Sequence, residues 1–133
     1  MTVDPLSETG KKPPRVLITG ATGAVGPLVV QAFYEEGYEV RTLSLDAPPE
    51  IWPHNVDIRV GDVTDKQVVD AAMSGIDSVV HMAALLHVAD PPPELREACE
   101  RINVGGTATV VEAALRNNVR RLVYFSTIAV YGP

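Results

Sequence analysis

The stretch RVLITGATGAVG, Arg15 to Gly26, constrains the fold more than any other part of the 133-residue chain. Its opening, Arg15–Thr19, is a short apolar run bounded by Pro14 and Gly20, which reads as a buried strand. Three glycines, Gly20, Gly23 and Gly26, then fall within seven positions. Apolar residues follow at helical spacing (Val25, Leu28, Val29, Ala32 and Phe33), predicting a helix from Ala24 to Glu36 that Gly37 stops. Glycine costs about 0.5–1 kcal/mol relative to alanine in regular structure, so a cluster of three marks a place that side chains would obstruct. A strand, a bare turn and an amphipathic helix in that order commit the chain to a βα unit.

The alternation continues along the sequence. Tyr38–Leu45, Asp57–Gly61, Asp77–Ala84 and Arg121–Thr127 read as further strands. Ala47–Asn55 contains Pro48, Pro49 and Pro53 and is too broken for a crossover helix, with Trp52 placed to cap the core. Thr64 is expected to cap a helix with Gln67 as its capping-box partner and Val68, Val69, Ala72 and Met73 as its apolar face. After Pro91–Pro93, a long helix carries Leu95, Cys99, Ile102, Gly106, Val110 and Ala113 on one stripe and ends near Asn117–Asn118. Apolar, unalternating strands separated by helices predict the α/β class: a doubly wound, Rossmann-like parallel sheet covered on both faces. The right-handed crossover rule and the glycine turn after strand one favour about five strands in the order 3-2-1-4-5.

In this setting the glycines have separate uses. Gly20 permits the tight turn, Gly23 lets backbone approach a pyrophosphate, and Gly26 lets the helix pack close to the strand. The free amides of the turn and helix start, over Thr22, Ala24 and Val25, would then face phosphates with the helix dipole behind them. The site this predicts binds a dinucleotide.

Bulk properties narrow the alternatives. A formal net charge of −6 supplies no basic footprint, which argues against nucleic acid and against an anionic membrane as partners. Cys99 is the sole cysteine, so no internal disulfide can form and a reducing, cytoplasmic setting is expected, with Cys99 a small core residue. His54, His81 and His87 show no metal-ligand spacing, and no metal is expected. Residues 1–14 are polar and read as a flexible tail before a single binding domain over 15–133.

Five segments in order, TGATGAVG, GDVTD, HMAA, NVGGT and FSTIAVYG, run through this domain. Together they make it resemble the extended short-chain dehydrogenase/reductase family, the NAD(P)-dependent nucleotide-sugar epimerases, dehydratases and hydroxysteroid-type dehydrogenases. The family's ribose-binding aspartate falls on Ser44, with Asp46 two residues later and no arginine close behind to receive a 2′-phosphate. The acidic rim favours NAD, with NADP as the alternative; Asp46 is otherwise an ordinary loop residue. Asp62, with the Val63 amide, is implied to bind adenine, or else to help Thr64 start its helix. Met82, Ala83 and Ala84 offer little bulk, so backbone can come close to the phosphates and the nicotinamide ribose. Asn103 supports the site from beneath the cofactor, or else lies on an exposed helix face, and Gly105–Gly106 let the helix approach the sheet. His81 reads as a hydrogen-bonded core histidine, while His87 lies in the loop that would face substrate.

Thr127 matches the family's catalytic serine or threonine, four residues before Tyr131, and Ser126 would line the nicotinamide side. The local alternative is a strand-end pair satisfying nearby backbone groups. The family's acid/base pair is a tyrosine with a lysine four residues on, the lysine holding the phenol's pKa down. No lysine follows Lys66, and none of the four tyrosines meets the spacing. The resemblance therefore implies the cofactor-binding portion of an enzyme acting on a carbinol small molecule, truncated before the substrate lobe. Such a chain would bind dinucleotide without turnover and, with an apolar sheet edge exposed, would self-associate into a homo-oligomer. A non-catalytic NAD(P)-sensing module and a vestigial fragment are the other two readings.

Overall fold

The structure, a computed structural model, describes residues 10–48, 52–86 and 90–132. Most of the tail expected over 1–14, and His87, lie outside the described residues. Strands β1 (Arg15–Thr19), β2 (Glu39–Ser44), β3 (Asp57–Val60), β4 (Ser78–His81) and β5 (Arg121–Tyr124) form one parallel sheet in the order β3-β2-β1-β4-β5, the order predicted above. β1 is central because its side chains have a covered face on either side: Val16, Leu17 and Ile18 are fully buried. Leu17 packs with Leu43, Val79, Met73 and Val110 beneath α2 (Lys66–Met73) and α4 (Thr107–Arg116). Val16 and Ile18 pack with Val30, Val40 and Val80 beneath α1 (Gly26–Glu35), where Trp52 closes the cluster. Each such side chain contributes about 1.5–3 kcal/mol when fully buried.

Helix ends follow local chemistry. α1 stops in a Schellman motif: Gly37, at φ +81°, donates its N–H to Tyr34 C=O, and Tyr38 donates to Phe33 C=O. The Phe33 and Tyr38 rings meet edge to face at 4.9 Å and seal that turn. Asn118, at φ +55°, plays the glycine's part at the end of α4, with Val119 N–H reaching Ala114 C=O. Arg41, in a strand read as apolar, is nearly buried and donates to Asp57 at 2.7 Å and to the Ala72 and Ser74 carbonyls at 2.7 and 2.8 Å. It thus satisfies carbonyls at the end of α2 that would otherwise lack donors.

Four expectations change. α1 begins at Gly26, not Ala24. α2 is capped by Asp65, whose carboxylate accepts from Gln67 and Val68 N–H at 3.0 and 3.2 Å; Thr64 is not the cap because both its N–H and its hydroxyl donate to Asp62. The long helix is three pieces: α3 (Pro93–Cys99), a π-helical stretch Glu100–Gly106, and α4. The Gly105–Gly106 pair supports helix poorly, and of the two only Gly106 approaches another element, with a Cβ there placed 2.8 Å from a Val63 methyl. Finally, β5 ends at Tyr124, and Leu122 alone of its residues packs on the core while Arg121, Val123 and Tyr124 are exposed, so the sheet is not covered on both faces there.

Candidate functional site

Parallel strands bring all their carboxyl ends to one edge of the sheet, and the order reverses between β1 and β4. That reversal opens a crevice where ligands of such sheets bind. The glycine turn sits at its floor. Gly20 has φ +69°, and a Cβ there would lie 2.7 Å from the backbone N and Cα of Ala83, so it serves both the turn and the contact with the chain leaving β4. A Cβ on Gly26 would collide with the carbonyl of Ala21. Gly23 differs: it is exposed, and a Cβ would meet within 4 Å only the Gly20 carbonyl, at 3.3 Å. Two of the glycines are therefore required by the protein's own packing; at the third the side-chain direction is open, while its N–H is donated to the Gly20 carbonyl at 3.1 Å and its C=O accepts from Gly26 N–H at 3.2 Å.

Thr22, Ala24 and Val25 complete the turn, the last as N-cap of α1. No side chain caps this helix, and its first turn holds no acidic residue. The positive end of the helix dipole is left for an anion.

At the end of β2, Ser44 is buried and its hydroxyl has no hydrogen-bond partner among the described residues. An unpaired buried hydroxyl is costly, by about 1–3 kcal/mol. Asp46 is exposed nearby in sequence. At the end of β3, Asp62 Oδ1 accepts from the Thr64 N–H and hydroxyl, each at 2.8 Å, and these bonds hold its carboxyl below the usual range. Asp62 is thus ionised and acceptor-only, with Oδ2 uncommitted to Thr64, and Val63 is buried under Gly106.

Beyond β4, Met82 and Ala83 turn their N–H groups inward to Thr19 Oγ1, at 3.1 and 3.2 Å. Those two amides are therefore already engaged within the protein; the Ala83 and Met82 side chains pack on the two cores flanking the sheet, and Ala84 is exposed. Asn103, half-buried, clasps Leu85: it accepts from the Leu85 N–H at 2.7 Å and donates to the Leu85 C=O at 3.2 Å. Beyond β5, Ser126 and Thr127 are exposed. Thr127 Oγ1 accepts from Ala129 N–H at 3.2 Å, capping the 3₁₀ turn Ile128–Tyr131, and keeps its own hydrogen to donate.

His81, which lines none of this directly, is buried between Thr19 and Thr107. Burial pushes its pKa down to about 4. Sequence reading missed Thr19 and Thr107 as its partners; the available signal was Thr107 placed one helical turn after Asn103. At the opposite, amino-terminal end of the strands, a cavity of about 390 Å³ is lined by Arg15, Glu39, Arg41 and Asp57 among others. Its charges pair with each other, Arg15 with Glu39 at 2.6 Å and Arg41 with Asp57 at 2.7 Å. Among the described residues no group of three or more His, Cys, Asp or Glu could hold a metal ion, and no helix is long and apolar enough to cross a membrane.

Comparison with known proteins gives the family and the fold. Residues 16–133 match the model of the NAD dependent epimerase/dehydratase family. A Mycobacterium tuberculosis protein named "3 beta-hydroxysteroid dehydrogenase/Delta 5-->4-isomerase" is 38% identical over 121 residues, which cover 87% of this chain and 32% of that protein. The crystal structure of a short-chain dehydrogenase/reductase superfamily protein from Agrobacterium tumefaciens with bound NAD superposes with a TM-score of 0.78 at 32% identity, covering 89% of this chain and 34% of that one. MoeE5 in complex with UDP-glucuronic acid and NAD gives 0.79 at 29% identity, covering 89% and 38%. The chain spans about a third of the length of the hydroxysteroid dehydrogenase relatives it matches.

Proposed function

Because the chain belongs to the NAD-dependent epimerase/dehydratase family, we propose that it is the nicotinamide-dinucleotide-binding part of an oxidoreductase acting on a carbinol of the steroid or nucleotide-sugar type. Its residues fit the cofactor. With no side chain at Gly23 in the way, the uncapped start of α1 offers the Ala24 and Val25 amides and its dipole to the diphosphate, the Gly23 N–H itself being donated to the Gly20 carbonyl. The unpaired Ser44 hydroxyl and the exposed Asp46 carboxylate suit the adenosine ribose diol, and Asp46 disfavours a 2′-phosphate, which makes NAD the preferred form. Asp62 Oδ2 accepts from the adenine amino group beside the Val63 amide. The nicotinamide half then lies over Met82–Ala84, with Asn103 beneath and Ser126 beside it.

When bound, the nicotinamide supplies a hydride acceptor or donor for the carbinol carbon. Thr127 contributes a donor: its hydroxyl is oriented by the Ala129 N–H and presents its hydrogen to the substrate oxygen, where charge changes during the reaction. Without a lysine after Lys66 to lower a tyrosine pKa, these 133 residues bind the dinucleotide but do not turn it over.

The observation that carries this reading is Gly23, bare of side chain, exposed, and unlike Gly20 and Gly26 not required by the protein's own packing. A crystal grown with NAD tests it. Diphosphate density against Gly23–Val25, with the ribose at Ser44 and Asp46, is the expected result; density elsewhere, or none at saturating NAD, contradicts it.

A further inference from the structure

We propose that His81 and Thr107 are positioning residues for the nicotinamide half of the site, holding the Met82–Leu85 backbone through one directed chain of hydrogen bonds that starts at Thr19. The proposal rests on the dinucleotide reading given above and adds to it which groups fix the far wall of the crevice.

The direction of the chain follows from counting hydrogens. Thr19 Oγ1 accepts two N–H groups, from Met82 at 3.1 Å, which also donates to the Thr19 carbonyl at 3.2 Å, and from Ala83 at 3.2 Å. Its single hydrogen is left for His81 Nδ1, 2.6 Å away. An Nδ1 that accepts carries no proton, so the neutral ring bears its hydrogen on Nε2, which donates to Thr107 Oγ1 at 3.0 Å. Thr107 passes its own hydrogen to the Asn103 carbonyl at 2.6 Å. The Thr107 N–H goes to the Val104 carbonyl, and the hydroxyl serves the carbonyl one helical turn back, at Asn103.

The two ends of this chain grip the same short stretch. Thr19 holds the Met82 and Ala83 amides, and the Asn103 side chain holds Leu85 through both its N–H and its C=O. Among the described residues, His81 and Thr107 are the links that join these two anchors. The stretch runs from the core to the surface: Met82 and Ala83 pack on the cores and Ala84 is exposed, on the β4 side of the point where strand order reverses. A dinucleotide whose adenosine half lies toward β2 places its nicotinamide half there. A fully satisfied polar chain fixes such a segment more narrowly than apolar packing does, since each bond has one geometry.

Thr107→Val removes the hydroxyl and keeps the shape. In the 133-residue chain it is expected to weaken NADH binding about tenfold while ADP, which lacks the nicotinamide half, binds as to wild type. Amide exchange at Leu85 should accelerate, and Thr107→Ser should restore both properties. Equal loss of ADP and NADH binding, or loss of neither, overturns the proposal and leaves the dinucleotide site standing. A wild-type chain that binds neither ligand overturns the site and the proposal together. Ring-nitrogen NMR of the wild-type chain gives a reading independent of any variant: His81 shows the Nε2–H tautomer, and an Nδ1–H tautomer overturns the chain of bonds.

Discussion

Acid should unfold this protein earlier than its carboxylates require, and His81 sets the amount. The ring is buried, with both nitrogens engaged by Thr19 and Thr107, and its pKa falls from 6.5 to about 4. A folded-state value below that of the unfolded chain means the unfolded chain binds the proton more readily. The contribution to stability is therefore complete above pH 6.5 and is lost as pH falls toward 4. Over the whole range the shift corresponds to about 3 kcal/mol, of which about 2 kcal/mol is lost between roughly pH 7.5 and pH 5. The depressed carboxylates Asp57 and Asp62 lose their contributions at lower pH, below the ordinary value of 3.8, so the two effects separate. Urea unfolding at several pH values, for wild type and for His81→Gln, isolates the histidine as the difference in slope. Gln retains a donor toward Thr107 without the titration. Equal pH slopes in the two proteins, or a folded-state His81 that titrates near 6.5 by NMR, would refute the reasoning.

Gly26→Ala should cost about 1–3 kcal/mol in urea unfolding or more, because its new methyl collides with the Ala21 carbonyl; a stability equal to wild type would show that the turn is looser than described. Thr127→Ala should leave NADH affinity within about threefold, about 0.7 kcal/mol, since the hydroxyl serves substrate and not cofactor; a larger loss by fluorescence titration would move Thr127 into the cofactor site. The exposed Val123, Tyr124, Phe125, Ile128 and Val130 around β5 should drive concentration-dependent association in sedimentation, weakened by Val123→Lys. Monomer at every concentration would contradict that.

Sheet order was legible because parallel strands buried on both faces leave unbroken apolar runs, as at Val16–Ile18, and because the glycine turn names the first βα unit. What the sequence hid was competition among polar groups. Thr64 and Asp65 are both good caps, and only the pull of Asp62 on Thr64 decides for Asp65. Arg41 looks like a solvated strand residue until the carbonyls at the end of α2 are seen to need donors. The π-helical stretch carries no periodicity that marks it in the sequence, and the contact it makes from Asn103 to Leu85 spans 18 residues. At the site, the glycine turn, Ser44 and Asp62 could be placed on the edge from motif and strand end alone. The inward turn of the Met82 and Ala83 amides could not, because it depends on Thr19, which is far away in sequence. β5 read as buried because it is apolar, yet burial also needs neighbours, and Leu122 alone of its residues packs on the core.

The central claim is that the first loop is bare so that a diphosphate can lie against its backbone, and a paired titration tests it most directly. NADH fluorescence is followed with wild type and Gly23→Val, urea unfolding serving as the control on folding. Saturable binding by wild type, lost in a variant that stays folded, is the predicted result. Affinity unchanged by the valine would contradict the claim.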